Sequence, residues 1–436
     1  ELAFGSVMSN PNLKIEGSVA PGFESVRDLY ALNMRKLKER NTQLCVYHRG
    51  EKVVDLWGTQ IGDTDFTPDT LVNIFSSGKS MEAIALASLH GRGLLDYDKR
   101  IADYWPEFGQ HGKEDLTVAD LMRHEGGLAS FDRSIEPEAL FPENIKKNQV
   151  APIIEAQIAR FPQREDTNRE YHAITRGWVA NELFRRIDPA GRTIGDFLRE
   201  EVSTPLKVEA YVGLRENELP RVSPVIIVSF LFILLQSMIP KFLGRRIEKN
   251  IFQLGARIFR ILRSARNGST ARRDVPPIAG SGGLPDFNSR EVRMGETPSA
   301  NTHSNARSLA KIAAMVANGG ALGGREVLPR AACDAMHAET IEADMIIMPC
   351  AFSQGGVNAF GKTSVGNGDF GEALNEGREG FFGWMGFGGS IFQWHREHEI
   401  GFGYVPTSLH ALDLFNERGK EYQREVLRCV ERLGAS

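Results

Sequence analysis

The chain has 436 residues, of which 42% are hydrophobic and 25% charged, and its formal net charge is −4. That length suits two or three domains, which excludes a mini-protein, and the composition excludes collagen, a coiled coil and an intrinsically disordered chain. A slightly acidic molecule has no basic footprint for nucleic acid, so we expect no nucleic-acid partner.

The four cysteines are far apart and form no C-x-x-C pair. The sequence therefore predicts neither a disulfide framework nor a zinc knuckle, and it favours a reducing, intracellular compartment. The chain begins at Glu1 rather than at a methionine. Import or secretion through a preceding leader therefore stays open.

Hydrophobic periodicity predicts the helices and strands in chain order. Apolar residues three or four apart predict helices at 24–38, 76–91, 171–187, 193–202, 304–318 and 422–433. Short apolar runs predict strands at 44–48, 52–58, 390–394 and 399–405. Strands at both ends with helices between them indicate an α/β (α+β) fold, with one sheet built from both termini. We expect a discontinuous sheet domain of 1–70 and 300–436, and a mostly helical domain of 71–299 inserted in it.

Residues 220–275 differ in composition from the rest of the chain. The apolar run Val225–Ile239 has 15 residues, fewer than the about 20 needed to cross a bilayer. Residues 241–273 carry ten Lys or Arg against a single acid, Glu248. This insertion therefore has a role that the rest of the chain does not share.

An amphipathic helix is predicted within the basic part of the insertion. Its apolar side chains recur every three or four residues, at Leu243, Ile247, Ile251, Leu254, Ile258 and Ile261. Its basic side chains fall on the opposite side, at Arg245, Arg246, Lys249, Arg260 and Arg263. Such a helix suits the plane of a membrane interface, so peripheral membrane contact through 222–266 is one prediction. The alternatives are a lid or helical hairpin folded onto the protein's own surface, or a contact within an oligomer.

The stretch Ser76-Ser77-Gly78-Lys79 brings a hydroxyl and an ammonium group together. At the first turn of a helix, this spacing puts the Ser76 and Lys79 side chains on one face, about 5 to 6 Å apart at Cβ. The helix N-terminus adds free N–H groups and a partial positive charge, which suit an oxyanion. An N-capping serine beside a solvated lysine is the alternative interpretation. A phosphate-binding loop is excluded because Asn73 stands where its first glycine is required.

Several stretches resemble, in the same order, the motifs of the serine β-lactamase superfamily. They are 70–79, 116–128, a tyrosine motif at 171–178, 298–301 with the helix from 306 to 318, and 383–390. The patterns are nearest to the class C type, the family VIII carboxylesterases and the animal β-lactamase-domain-containing proteins. This resemblance implies a β-lactamase/transpeptidase-like fold, in which helices flank an antiparallel sheet.

The resemblance also implies a role for each site residue. Ser76 would be the acylated nucleophile, Lys79 its neighbouring cation, and Tyr171 the base that takes the serine proton. A nearby ammonium would favour the Tyr171 phenolate by Coulomb attraction, whereas the alternative for Tyr171 is an ordinary core aromatic. The Ser76 N–H and a backbone N–H near Phe387, on the strand after Trp384, would hold the oxyanion. Such a hydrolase needs no cofactor and no metal.

Two departures from the class C pattern bear on the substrate. Trp384-Met385-Gly386 stands where that class has Lys-Thr-Gly, and Ala173 stands where it has an asparagine. An anionic β-lactam would lose the lysine and the asparagine that bind it in class C enzymes. A pocket lined by the Trp384 indole instead suits an uncharged, apolar group. We therefore predict a serine esterase that acts on uncharged or lipid-like small-molecule esters. The alternatives are an amidase, peptidase or β-lactamase of the same fold, and a catalytically weak or inactive scaffold.

Three histidine-containing features remain. His124 and His172 lie close to the motifs, and each is either a hydrogen-bonding support of the site or a satisfied buried imidazole. The stretch His395–Glu399 has ligand-type residues, but it lies between two predicted strands. A solvated hairpin turn is the simpler interpretation, so we predict no metal site there.

Overall fold

A nine-stranded antiparallel sheet lies at the centre of the structure, which is a computed structural model that describes residues 10–163, 167–266, 269–272, 274–281, 286–345, 348–361 and 368–435. The strands are β1 (Lys14–Val19), β2 (Asn41–His48), β3 (Glu51–Thr59), β4 (Ile341–Met345), β5 (Met348–Phe352), β6 (Asn358–Ala359), β7 (Phe381–Met385), β8 (Ile391–His395) and β9 (Ile400–Pro406). Their order across the sheet is β1-β3-β2-β9-β8-β7-β6-β5-β4. Because β9 pairs with β2, the predicted sheet built from both termini is confirmed.

Helices cover both faces of this sheet. Those of eight or more residues are α1 (Glu24–Lys36), α2 (Lys79–Gly91), α3 (Thr175–Ile187), α4 (Phe230–Ser237), α5 (Ile251–Arg266), α6 (Ala306–Ala317), α7 (Arg330–His337), α8 (Gly368–Asn375) and α9 (Glu417–Ala435). α1 and α9 share one apolar core with the sheet. α6 contacts β2, β8 and β9, and α2 packs against α3 and α7.

Two glycines in β9 let α6 lie directly on the sheet. A Cβ at Gly401 would lie 2.3 Å from Ala310 O, and one at Gly403 would lie 2.6 Å from Ala306 O. Alternate residues of a strand point to opposite faces, so Phe402 joins the core with α1 and α9 instead. This close approach fixes the position of α6 and of the 298–304 segment before it, which borders the site described below.

Most predicted elements are present, with two differences. The helix predicted from Ser76 is wrong at its start, because Phe75–Gly78 form a 3₁₀ turn and α2 begins only at Lys79. Strands β1 and β4 to β7 were not predicted; in β1, at the sheet edge, most side chains are exposed and alternation is weak. All four cysteines are buried and unpaired. The division of the chain into domains stays a prediction.

The insertion folds onto the rest of the molecule. Ile226–Ile227 pairs in parallel with Ser408–Leu409. Ile247 and Leu254 of the predicted apolar stripe are buried together with Val228 and Ile233. Ile247 and Leu254 therefore face the protein, as the lid alternative expects, whereas Leu243 is 65% exposed. The helix begins at 251 rather than at 243.

Ion pairs hold α5 in this position. Arg257 and Lys249 both bind the carboxylate of Glu417, at 3.1 Å and 2.8 Å. Arg260 and Arg263 of the predicted basic face lie outside the residues whose side chains are described. Within the described part of the chain, no helix is both long enough and apolar enough to cross a bilayer.

We predict that Arg418→Met lowers the free energy of unfolding by about 3–5 kcal/mol, because it removes the partner of a buried charge. Arg418 is buried, pairs with Glu39 and with Asp413, and donates to the Gly388 carbonyl. Denaturant unfolding measures the change. Arg100→Met, which breaks an exposed pair, serves as the control and should leave the midpoint unchanged. Equal midpoints for both variants would contradict the prediction.

Candidate active site

Ser76 lies in the tight turn that leads into α2. The preceding strand Val72–Asn73 pairs with His303–Ser304. Asn73 Oδ1 accepts the Phe75 N–H at 2.8 Å. Phe75 has φ +49°, a left-handed conformation that is costly for an aromatic residue. This turn leaves Ser76 half-buried while its neighbours in the turn are buried.

Lys79 is fully buried beside Ser76. Its Nζ donates to Ala173 O at 2.6 Å and to Ser299 O at 3.1 Å, and it lies 3.3 Å from Ser76 Oγ. Burial lowers the pKa of Lys79 well below its ordinary value. The amine is thereby shifted toward the neutral form, which can accept a proton.

A buried ion pair supports Lys79. Arg176 Nε donates to Glu82 Oε2 at 2.8 Å, and neither side chain is exposed. Ser299 Oγ donates to the other Glu82 oxygen at 2.5 Å, and Arg176 Nη2 donates to Lys79 O at 3.1 Å. After burial, these charges act on the pKa of Lys79 in opposite directions, since Glu82 raises it and Arg176 lowers it.

Tyr171 completes the contacts of Ser76. Its hydroxyl donates to Ser76 Oγ at 2.7 Å and accepts from Trp384 Nε1 at 3.1 Å. Lys79 Nζ lies 4.9 Å from the centre of the Tyr171 ring. Burial raises the pKa of Tyr171, although its bonds with Ser76 and Trp384 oppose the rise. This direction favours the neutral phenol, and the role of Tyr171 as the base stays a prediction.

The predicted oxyanion donors lie at the starts of two short 3₁₀ turns. Ser76 is the second residue of Phe75–Gly78, and Phe387 is the first residue of Phe387–Gly389. The first N–H groups of a helical turn have no acceptor within it, so both can serve an outside oxygen. The two turns touch through the rings of Phe75 and Phe387, whose centres are 5.7 Å apart.

Contacts from distant residues orient the Gly386–Phe387 peptide. Asn416 Nδ2 donates to Gly386 O at 3.0 Å, and in a trans peptide the following N–H points the opposite way. Ser390, which directly precedes β8, donates through Oγ to Ile74 O at 2.6 Å and so links the start of β8 to the Ser76 turn. Asn416 and Ser390 were not identified from the sequence. Asn416 lies outside the motifs, and Ser390 lies at the end of the 383–390 motif, which assigned it no role.

His172 is fully buried behind Tyr171 and both of its ring nitrogens have partners. Nε2 accepts the Leu128 N–H at 2.9 Å, so Nδ1 carries the proton and donates to Glu170 O at 2.6 Å. Burial lowers the pKa of His172 to about 4, which keeps the ring neutral. His124 Nδ1 accepts the His172 N–H at 3.0 Å. The two histidines thus hold the loop that carries Tyr171.

The remaining sequence predictions concern metals and cavities. Among the residues that the structure describes, no three His, Cys, Asp or Glu side chains are grouped to hold a metal ion. A groove of about 1340 Å³ lies between α1, α9 and the 241–248 segment. Ser76, Lys79 and Tyr171 do not line it.

Comparison with known proteins finds one matching family model and similar proteins. Residues 27–225 match the family model described as Beta-lactamase. The chain is 27% identical over 402 residues to Esterase/beta-lactamase LipL of Mycobacterium tuberculosis, a match that covers 91% of this chain and 83% of that protein.

Two solved structures are similar over almost the whole chain. A family VIII carboxylesterase superposes with a TM-score of 0.73 at 27% identity, covering 95% of this chain and 100% of that one. A penicillin-binding protein homolog from Caulobacter crescentus superposes with a TM-score of 0.71 at 26% identity, with the same coverage. These matches confirm the resemblance found in the sequence.

We predict that Gly386→Ala abolishes most activity. A Cβ at Gly386 would lie 1.9 Å from Ser390 Oγ and 2.4 Å from Ile74 O, so strand β7 must move away from the Ser76 turn. A displacement of about 1 Å lowers kcat/KM roughly 10²-fold. Hydrolysis of a short p-nitrophenyl ester measures this change. Gly434→Ala, where a Cβ meets open space, is the matched control. Native activity of Gly386→Ala would show that this contact does not position the site.

Proposed function

Since this chain is a serine hydrolase of the β-lactamase family, we propose that it is an esterase that forms an acyl-enzyme on Ser76 and acts on uncharged, lipid-like esters. One observation carries the proposal. The half-buried Ser76 Oγ accepts a hydrogen bond from the Tyr171 hydroxyl at 2.7 Å and lies 3.3 Å from the Lys79 amine. A serine hydroxyl becomes an effective nucleophile only where a positioned base can take its proton.

Acylation begins when Ser76 Oγ attacks the ester carbonyl carbon. The serine proton passes to the Lys79–Tyr171 pair, and the carbonyl oxygen becomes an oxyanion facing the N–H groups of Ser76 and Phe387. Collapse of this intermediate breaks the acyl C–O bond, and the departing alcohol takes up the proton. Water then attacks the acyl-Ser76 ester in the same way and releases the carboxylic acid.

We assign the proton to the pair rather than to a phenolate formed beforehand. Burial favours the neutral form of both partners, because it lowers the pKa of Lys79 and raises that of Tyr171. A neutral amine accepts the serine proton, while a neutral phenol can donate one to the leaving alcohol. General acid–base catalysis of ester hydrolysis requires one group that accepts a proton and one group that donates a proton.

Aromatic and apolar surroundings favour an uncharged substrate. The Phe75 ring packs against those of Phe287 and Phe387 next to Ser76. The Trp384 indole lies on the other side, bonded to Tyr171, and the Ala173 methyl group is exposed nearby. Lipid-like esters concentrate at membranes, so peripheral membrane contact through 222–266 belongs to the same proposal.

We predict that a fluorophosphonate probe labels the wild-type protein on Ser76 and does not label Ser76→Ala. Ser80→Ala is the matched control, because Ser80 lies four residues further along, in the first turn of α2, and its hydroxyl has no hydrogen-bond partner among the described residues. Intact-protein mass spectrometry measures the adduct. Absence of a Ser76-dependent adduct under native conditions would favour the inactive scaffold.

We predict that Lys79→Ala and Tyr171→Phe each lower kcat/KM on a short p-nitrophenyl ester by about 10²- to 10⁴-fold. In the wild type, activity should be lost as the pH falls through the depressed pKa of Lys79, because the ammonium cannot accept a proton. A full pH–rate profile measures this acid limb. Tyr97→Phe, which removes another buried hydroxyl, is the control. An acid limb near pH 10 would contradict the assignment.

A further inference from the structure

Exposed apolar side chains are concentrated in the insertion. Of sixteen large apolar residues exposed on the described part of the chain, eleven lie between 226 and 262. They are Ile226, Ile227, Phe230, Leu231, Leu235, Met238, Phe242, Leu243, Phe252, Phe259 and Leu262. The Phe242 and Phe252 side chains are 86% and 84% exposed, which is unusual for phenylalanine on a water-facing protein surface.

This apolar surface shares only Leu243 with the stripe that the sequence suggested. Leu254 and Ile247 of that stripe are buried against the protein, and Arg257 anchors α5 to Glu417. The exposed set is therefore what remains after the insertion has already packed. These side chains remain exposed to solvent on a segment that is already packed against the protein.

A basic groove adjoins the apolar surface and shares Phe242 with it. The groove has a volume of about 1340 Å³ and is lined by seven basic and three acidic side chains. The basic ones are Arg35, Lys36, Lys241, Arg245, Arg246, Arg424 and Arg428. Within 226–262 the single acid is Glu248, which is itself partly buried.

We propose that the exposed apolar side chains of 226–262, together with this basic groove, form a docking surface for an anionic lipid bilayer. Phenylalanine and leucine side chains enter the interface between headgroups and acyl chains, while Lys and Arg attract anionic headgroups. The charge of the groove and the near absence of acids in the apolar part match such a surface. The groove takes the phosphate-bearing headgroups, and the apolar side chains anchor beside it.

Contacts link the insertion to residues that support the proposed ester site. α5 is held at Glu417, whose neighbour Asn416 orients the Gly386 carbonyl. Beyond α5, Thr270 N–H donates to Glu170, the residue before Tyr171, at 2.9 Å. Delivery of membrane esters to Ser76 rests on the proposed function, whereas binding to the bilayer does not require catalysis.

Co-sedimentation with phosphatidylcholine vesicles, with and without phosphatidylserine, tests the proposal. Wild type should pellet with the anionic vesicles, and high salt should weaken this binding. Phe242→Ser/Phe252→Ser should lose binding to both vesicle types. Lys36→Glu/Lys241→Glu should bind anionic vesicles at least about tenfold more weakly and be unchanged on neutral ones.

Matched controls separate this inference from the esterase proposal. Ile158→Ser and Arg325→Glu change exposed residues outside the surface and should bind as wild type. Ser76→Ala should also bind as wild type, so failure of catalysis and failure of docking are distinguishable. Thermal unfolding checks that each variant is folded.

Three results would overturn the docking surface. They are no pelleting of wild type, unchanged binding by both double variants, and a dimer in analytical ultracentrifugation that Phe242→Ser/Phe252→Ser dissociates while no vesicle is bound. The last result would assign the apolar surface to a second copy of the chain.

Discussion

The burial of a single lysine amine is the constraint on which the site depends. Lys79 Nζ has no exposed surface and is surrounded by the carbonyl groups of Ala173 and Ser299 and the hydroxyl of Ser76. A buried ammonium is costly, so the protein shifts the group toward its neutral form. The Glu82–Arg176 ion pair beneath it is itself buried and fully bonded; Glu82 opposes the lowering of the Lys79 pKa, whereas Arg176 adds to it.

The second half of the site is a peptide whose direction is set from outside the motifs. Asn416 holds the Gly386 carbonyl, so the next N–H faces away from it, as an oxyanion donor must. Asn416 directly precedes Glu417, the residue that anchors α5 of the insertion. The insertion and the site therefore share one structural support, although they are separate in the sequence.

The sequence by itself determined the features that depend on local spacing and residue type. The three-residue spacing of Ser76 and Lys79, the tyrosine motif and Trp384-x-Gly386 appear in a fixed order, which was enough to identify a serine hydrolase of the β-lactamase fold. Strands at both termini also predicted the sheet that the structure contains. These inferences need no knowledge of which distant residues touch.

Only the tertiary structure decided the protonation of the site and the orientation of the insertion. Burial by segments far away in sequence shifts the pKa of Lys79 down and that of Tyr171 up, so residue type alone could not give the direction of either shift. Periodicity likewise identified the apolar stripe containing Leu254 but not the surface it faces. A helical pattern records which side chains share a face, whereas burial depends on what packs against that face.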